Sequence, residues 1–352
     1  MVRLEVPKTG IPYEELYFTG PSGIERKVFG DRLNTGIRGG QFYFYDDVPL
    51  YWDAWDVMDY HLETQRLPEY TQTSPFADLT GAGRIVGVSK FTGSFSGSKI
   101  ERYTIIRADS PMVEYYTIID WNEDHKMLKV EFPVDILSRD ATFEIQYGHA
   151  SRPTHMNTSW DMAKFEVCGH KWMDISQADR GVTIITDSKY GWHVRDNIVK
   201  LSLLKSAKAP DINADIHKHF IYYAVLPHEG TFQQADVIRK AYELNIFGSN
   251  NVPLIQTAIT DANLPKNLAV SANRAVIIEA VKPAHDVDRG VVLRIYEAHG
   301  GAATTTVSLG FNVTKVQECN GLEAVIGDIP NSGNSFSSTL RPFEIKTYLI
   351  SY

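Results

Sequence analysis

Asp46-Asp47-Val48-Pro49-Leu50-Tyr51-Trp52-Asp53-Ala54-Trp55-Asp56-Val57-Met58-Asp59-Tyr60-His61-Leu62-Glu63 sets Tyr51, Trp52, Trp55 and Tyr60 among five aspartates. Flat apolar rings beside carboxylates suit a sugar. A ring covers the C–H face of a pyranose, and a carboxylate accepts hydrogen bonds from two neighbouring hydroxyls. The same residues also describe a strand-to-turn corner with solvated acids, and both readings stay open. The stretch follows a strand, Gln41 to Tyr45, introduced by Gly36-Ile37-Arg38-Gly39-Gly40.

Working outward, strands dominate. Leu128, Val130, Phe132 and Val134 alternate with Lys129, Glu131 and Pro133; Val199, Leu201 and Leu203 alternate with Lys200 and Ser202. Val291, Leu293 and Ile295 form a third set, and Phe343, Ile345 and Leu349 share one parity near the end. A period of two sends one face to a core and the other to water. Many such runs, broken by Gly, Asn, Asp and Pro, predict antiparallel sandwiches. The fold class is all-β: a large antiparallel β-sandwich of supersandwich type, then a smaller C-terminal β-sandwich, with few helices.

One helix is expected. Thr231 and Gln234 have capping-box spacing, and Val237, Ile238, Ala241 and Tyr242, extended by Leu244, form its apolar stripe. Gly248-Ser249-Asn250-Asn251 ends it and marks a boundary. Three segments result: an atypical lead-in over 1–40, a large sandwich over 41–248 and a small sandwich over 249–352. Val2 to Val6 is strand-like within the lead-in. Asn331-Ser332-Gly333-Asn334 reads as a loop between the last strands.

The chain has 352 residues, 35 basic and 43 acidic, for a formal charge of −8. That is long enough for two domains and a sizeable core. An acidic balance without a basic tract argues against nucleic acid. No apolar run reaches the roughly 18–20 residues that span a bilayer, and Met1 to Gly10 has no apolar signal core. Cys168 and Cys319 make no disulfide framework and read as buried thiols. A reducing, cytoplasmic site of synthesis fits, and the sequons at Asn157 and Asn312 then carry no weight.

Other motifs are weak. Gly81-Ala82-Gly83-Arg84-Ile85-Val86-Gly87 has its last glycine one place late for a dinucleotide fingerprint and continues as strand. Gly93 to Lys99 is too short for a P-loop. His217 and His219 share a strand face but lack a partner at metal-ligand spacing, so they read as ordinary strand residues. His149, His155 and His170 read as hydrogen-bonded corner residues.

A family resemblance rests on longer runs. They are the opening stretch; Phe143-Glu144-Ile145-Gln146-Tyr147-Gly148-His149; Arg152-Pro153-Thr154-His155; Asn157-Thr158-Ser159-Trp160-Asp161; Lys164 to Cys168; and His170 to Ser176. Asp187-Ser188-Lys189-Tyr190-Gly191, Leu201 to Ser206, Lys208-Ala209-Pro210-Asp211 and Arg341 to Thr347 continue it. From about Gln41 onward the chain resembles glycoside hydrolase family 38, the zinc-dependent retaining α-mannosidases, in the cytosolic and fungal vacuolar branch. It resembles their C-terminal β-sandwich portion alone.

The resemblance implies hydrolysis of terminal α-mannosides, within mannose and oligosaccharide catabolism. It places nucleophile, acid/base and zinc in an N-terminal barrel outside this chain. No catalytic residue, metal site or cofactor is therefore expected here, and the isolated chain is expected to be inactive. Asp53 and Asp56 could pair as retaining glycosidases require, but the resemblance gives that work to the barrel. The substrate-binding candidates are Tyr51, Trp52, Asp53, Trp55, Asp56, Lys189, Tyr190 and Lys205. Lys205 stands where the family usually has an arginine facing the active-site mouth; lysine keeps the charge without the planar fork. Expected partners are mannosides or mannose-containing oligosaccharides, a catalytic barrel segment and further copies of the chain, with neither nucleic acid nor membrane. Delivery to the vacuole fits the branch. The alternative is a non-catalytic carbohydrate-binding or structural β-sandwich protein.

Overall fold

The computed structural model describes residues 1–5, 14–30, 38–78, 85–248 and 267–352. The chain divides into two compact units. One is Met1–Glu144 with Ser151–Asn251; the other is Ile145–Ala150 with Val252–Tyr352. Residues 249–251 of the expected boundary, and Gly81 to Arg84 of the glycine motif, lie outside the described residues.

A nine-stranded antiparallel sheet, all of it in the first unit except residues 145 and 148–150 of its edge hairpin, faces a five-stranded one. The nine run in the order Gly148–Pro153, Asp140–Ile145, Trp172–Ser176, Arg180–Thr186, Lys218–Glu229, Val113–Asp120, Ser98–Arg107, Ile85–Phe95, Glu69–Asp78. The five are Val167–Cys168, Gly191–Arg195, Ile198–Lys205, Lys126–Pro133 and Gln41–Asp46. Alternation explains their meeting. Leu128, Val130 and Phe132 from one strand, and Val199, Leu201 and Leu203 from its neighbour, join Ile119, Tyr115, Ile184 and Tyr223 of the large sheet in one core. Each such side chain contributes roughly 1.5–3 kcal/mol by burial. Val2–Glu5, Glu15–Thr19 and Glu25–Lys27 form a separate three-stranded sheet, whose Leu16 reaches the same core.

The alternate face of the five-stranded sheet corrects the expectation of a solvated side. Lys129 and Glu131 are wholly buried, and Lys200 nearly so. Two excursions cover them. One carries a 3-10 turn over Asp59–Thr64 with His61 inside; the other carries the short helix Ser159–Met162 and brings Glu166.

Thr231 and Gln234 make the reciprocal capping bonds, at 2.9 and 3.4 Å. They close a turn ahead of the helix, which runs Val237–Glu243 with Val237, Ile238 and Ala241 buried.

The second unit stacks the sheet Ala269–Ser271, Ala303–Leu309, Ser335–Leu340, Asn331–Ser332 on the sheet Val276–Pro283, Gly290–Glu297, Ile345–Ser351, Lys315–Cys319, Val325–Ile329. Leu293, Ile295, Tyr348 and Ile350 share its core. The parity expected for the last strand is therefore the wrong one. Ile345 is exposed, Phe343 precedes the strand at φ +57°, and Leu349 packs on the other face with Val292 and Cys319. The Asn331 to Asn334 loop is a hairpin turn: Ser332 pairs with Ser335, and Gly333 takes the positive φ the turn needs.

Candidate functional site

The candidate site is built on the excursion between Asp46 and Arg66. Its base is closed. Phe44 and Arg66 exchange both backbone bonds at 3.0 Å. Asp46 holds Lys126 at 2.6 Å and Arg66 at 2.5 Å, and the Asp46 N–H donates to Thr64 Oγ1 at 2.8 Å. A compact loop with tied ends keeps its shape.

Beneath the loop lies a buried polar network. The His61 Nδ1–H donates to the Met58 carbonyl at 2.6 Å, which leaves Nε2 to accept from the Lys129 ammonium at 3.2 Å. That arrangement requires a neutral imidazole. Burial first, then Lys129, lowers the His61 pKa to about 4. Lys129 also holds Glu166, which accepts from Ser202 Oγ at 2.9 Å as well. Burial would raise the Glu166 carboxyl, but Lys129 keeps it low. Lys200 pairs with Glu131 at 3.0 Å and donates to Tyr45 Oη at 3.1 Å. Burial lowers the Lys200 pKa against the pull of Glu131. His193 donates from Nδ1 to the Phe165 carbonyl at 2.7 Å, and burial takes its pKa to about 4.

The eight sequence candidates divide by environment. Tyr51, Trp52 and Trp55 stand 73, 73 and 72% exposed at the loop tip. Trp52 turns the chain at φ +56°, and its carbonyl accepts from Trp55 N and Asp56 N, both at 2.8 Å. The two indoles meet edge to face at 6.2 Å. Asp53 points inward. Its Oδ2 accepts Lys208 N at 2.6 Å and Ala209 N at 3.2 Å, with His125 Nε2 at 3.2 Å. Burial would raise this carboxyl; those three partners lower it on balance. Asp56 is exposed and accepts the Val57 N–H at 3.0 Å.

Lys205 also points inward, to Asp47 and to the Asp56 carbonyl. Asp215 Oδ2 accepts the Lys205 N–H at 3.2 Å. Lys189 is half-buried beside Asp215 and Asp187, and burial lowers its pKa against them. Tyr190 is half-exposed, with its ring on His170 at 5.0 Å. The structure thus gathers Asp53, Asp56 and Lys205 at the loop base, with Lys189 reached through Asp215. Asp47, His125 and Lys208 complete that base and escaped the sequence reading. Asp47, in the opening stretch, and Lys208, in the run Lys208-Ala209-Pro210-Asp211, carried a signal; His125 did not.

Among the described residues no three His, Cys, Asp or Glu side chains group to hold a metal. His217 and His219 stack at 3.9 Å, and His219 Nε2 lies 2.8 Å from the Asp215 carbonyl. Cys319 is buried as expected. Cys168 is not: it is exposed, with Sγ 3.8 Å from His170 Nε2.

Comparison with known proteins follows this geometry. The glycosyl hydrolases family 38 C-terminal domain matches residues 15–213, and the family 38 C-terminal beta sandwich domain matches 275–348. Human alpha-mannosidase 2C1 is 42% identical over 327 residues, 91% of this chain and 31% of that protein. The alpha-mannosidase of Saccharomyces cerevisiae is 32% identical, over 89% of this chain and 31% of that protein. The chain therefore spans about a third of the curated relatives it matches. An alpha-mannosidase structure from Enterococcus faecalis V583 superposes with a TM-score of 0.69 over 99% of this chain and 41% of that one. At 13% identity that likeness speaks for the fold alone.

Proposed function

The chain belongs to glycoside hydrolase family 38, and from that premise we propose that it is the C-terminal β portion of an α-mannosidase. In this reading it supports a catalytic barrel that holds zinc, the nucleophile and the acid/base, and it completes one rim of the sugar pocket. The reaction of the assembled protein is hydrolysis of terminal α-mannosides with retention. One observation carries the assignment of the rim: Tyr51, Trp52 and Trp55 stand in solvent on a loop pinned by the buried Asp47 with Lys205 and by Asp53 with Lys208. Rings held out at such an entropic cost suit a surface that receives a sugar or a second polypeptide. Asp53, Asp56, Lys189, Tyr190 and Lys205 serve this rim by holding and flanking the loop. Among the described residues no helix is long and apolar enough to cross a membrane. Residence in the cytoplasm with delivery to the vacuole, and assembly into oligomers, complete the proposal.

Reconstitution tests it. The purified chain should not hydrolyse aryl α-mannosides, with or without zinc. Mixing or co-expression with a matching barrel segment should produce turnover, and Trp52→Ala with Trp55→Ala should reduce it. Zinc-dependent turnover by the chain alone would reject the division of labour. A second reading, a stand-alone carbohydrate-binding sandwich, draws on the same exposed indole pair. It requires mannoside binding at the loop that is indifferent to the barrel segment.

A further inference from the structure

A cavity of 380 Å³ lies among Ile136, Leu137, Ser138, Arg139, Thr154, His155, Asn157, Asp196 and Asn197. It is remote from the aromatic loop. Lys126 pairs with Asp46 at the loop end of its strand, whereas Ile136 to Arg139 follow Pro133 at the other end. Eight residues at about 3.3 Å each separate the two ends by roughly 25 Å. The neighbouring strand agrees: Asp196 and Asn197 precede Ile198, while Lys205 closes the far end.

The walls are fixed before any ligand arrives. Thr154 N donates to the Arg139 carbonyl at 2.9 Å, Thr154 Oγ1 to the Ser138 carbonyl at 2.9 Å, and Asp196 N to the Thr154 carbonyl at 2.7 Å. Asn197 Nδ2 donates to the Val134 and Gly30 carbonyls at 2.7 and 2.9 Å. Three turns are thereby joined into one frame. On its open side Arg139, Asn157 and Asp196 are exposed; their side chains make no hydrogen bond or ion pair among the described residues, so a ligand would replace water there. His155 also lines the cavity, with its Nδ1 turned to Asp161 at 3.9 Å. Leu137 lies 75% exposed at the lip.

We propose that this cavity is an accessory site for one uncharged sugar unit, separate from the rim. Its volume is at the small end of ligand pockets, which run roughly 300–1,000 Å³. The lining selects the charge. An anion drawn to Arg139 meets Asp196, and a cation drawn to Asp196 meets Arg139. A guanidinium offers only donors and a carboxylate only acceptors, while a carboxamide offers both. Vicinal hydroxyls both donate and accept, so they suit all three, with the exposed Leu137 left for the C–H face. An amino-acid zwitterion would use Arg139 and Asp196 but leave Asn157 idle.

The test is amide-resolved NMR titration of the full chain with methyl α-D-mannopyranoside, methyl β-D-glucopyranoside and alanine as probes. A glycoside should give saturable shifts at the Arg139, Asn157 and Asp196 amides. Asn157→Ala and Arg139→Ala should each weaken that binding by about tenfold, as expected for one lost hydrogen bond, at unchanged melting temperature. Trp52→Ala with Trp55→Ala should leave these shifts in place. The proposal is overturned if neither glycoside shifts these amides, if alanine shifts them and the glycosides do not, or if well-folded Asn157→Ala and Arg139→Ala bind like the parent.

Discussion

The Lys205 ammonium is bonded to the buried Asp47 carboxylate and reaches the Asp56 carbonyl at 3.0 Å, tying a strand end to the first and last turns of the aromatic loop. Burial raises the Asp47 carboxyl, with Lys205 opposing it. Removing the ammonium would leave a carboxylate with 1% side-chain exposure uncompensated. Lys205→Ala should therefore destabilise the chain by about 3 kcal/mol, the low end for a broken buried pair. Lys205→Arg should stay within about 1 kcal/mol, because its fork can meet both oxygens. Urea unfolding of the parent and the two variants decides this; midpoints equal to the parent's in both would show that Lys205 is not a pin.

Acid should loosen the same region. The folded pKa values of His61 and His193 lie near 4, below the ordinary 6.5. The folded state thus binds protons less readily than the unfolded one. The stability involved is fully present above pH 6.5 and is lost as pH falls through about 4. Each histidine accounts for up to about 3 kcal/mol across that window. The Glu166 and Asp53 carboxyls, also held low, add their losses below the ordinary carboxylate range. His61→Gln keeps a donor for Met58 and an acceptor for Lys129, so it should flatten the slope between pH 6.5 and 4. Urea midpoints measured across that interval should diverge between parent and variant, and parallel curves would assign the slope elsewhere.

Asp53 is a loop anchor by its bonding. Asp53→Asn keeps one acceptor oxygen for Lys208 N and Ala209 N but loses the charge. The expected loss is about 1–2 kcal/mol, from bonds that a charged acceptor strengthens. Amide exchange at Lys208 and Ala209 should accelerate while core strands keep their protection. Unchanged exchange would mean that the carboxylate is incidental to the loop.

These environments explain what the sequence could and could not tell. Leu128, Val130 and Phe132 announced their shared face by spacing, and they occupy it. Lys129 and Glu131 alternate with them and look solvated, yet both are buried. A charge pattern cannot distinguish water from a partner 37 or 69 residues away, such as Glu166 for Lys129 or Lys200 for Glu131. The same holds for Lys205, offered by the family resemblance, and Asp53, offered by its rings and carboxylate: the partners each is bonded to lie far along the chain. Trp52 and Trp55 were legible as unusual. Their exposure depends on the Trp52 turn at positive φ, which composition does not encode.

That turn shapes the last prediction. Leu50, Tyr51, Trp52 and Trp55 are exposed apolar side chains within six positions of one closed loop, and the two indoles touch. A patch of this kind in water promotes association. Trp52→Ser with Trp55→Ser removes both rings and little else. Exposed side chains contribute within about 0.5 kcal/mol to folding, so the melting temperature should scarcely move. Light scattering after size exclusion should show concentration-dependent association of the parent and a monomeric double variant. Adding a matching barrel segment should suppress association of the parent by covering the same rings. A parent that stays monomeric at high concentration, with or without the segment, would remove the loop as a docking surface and leave it free to serve sugar alone.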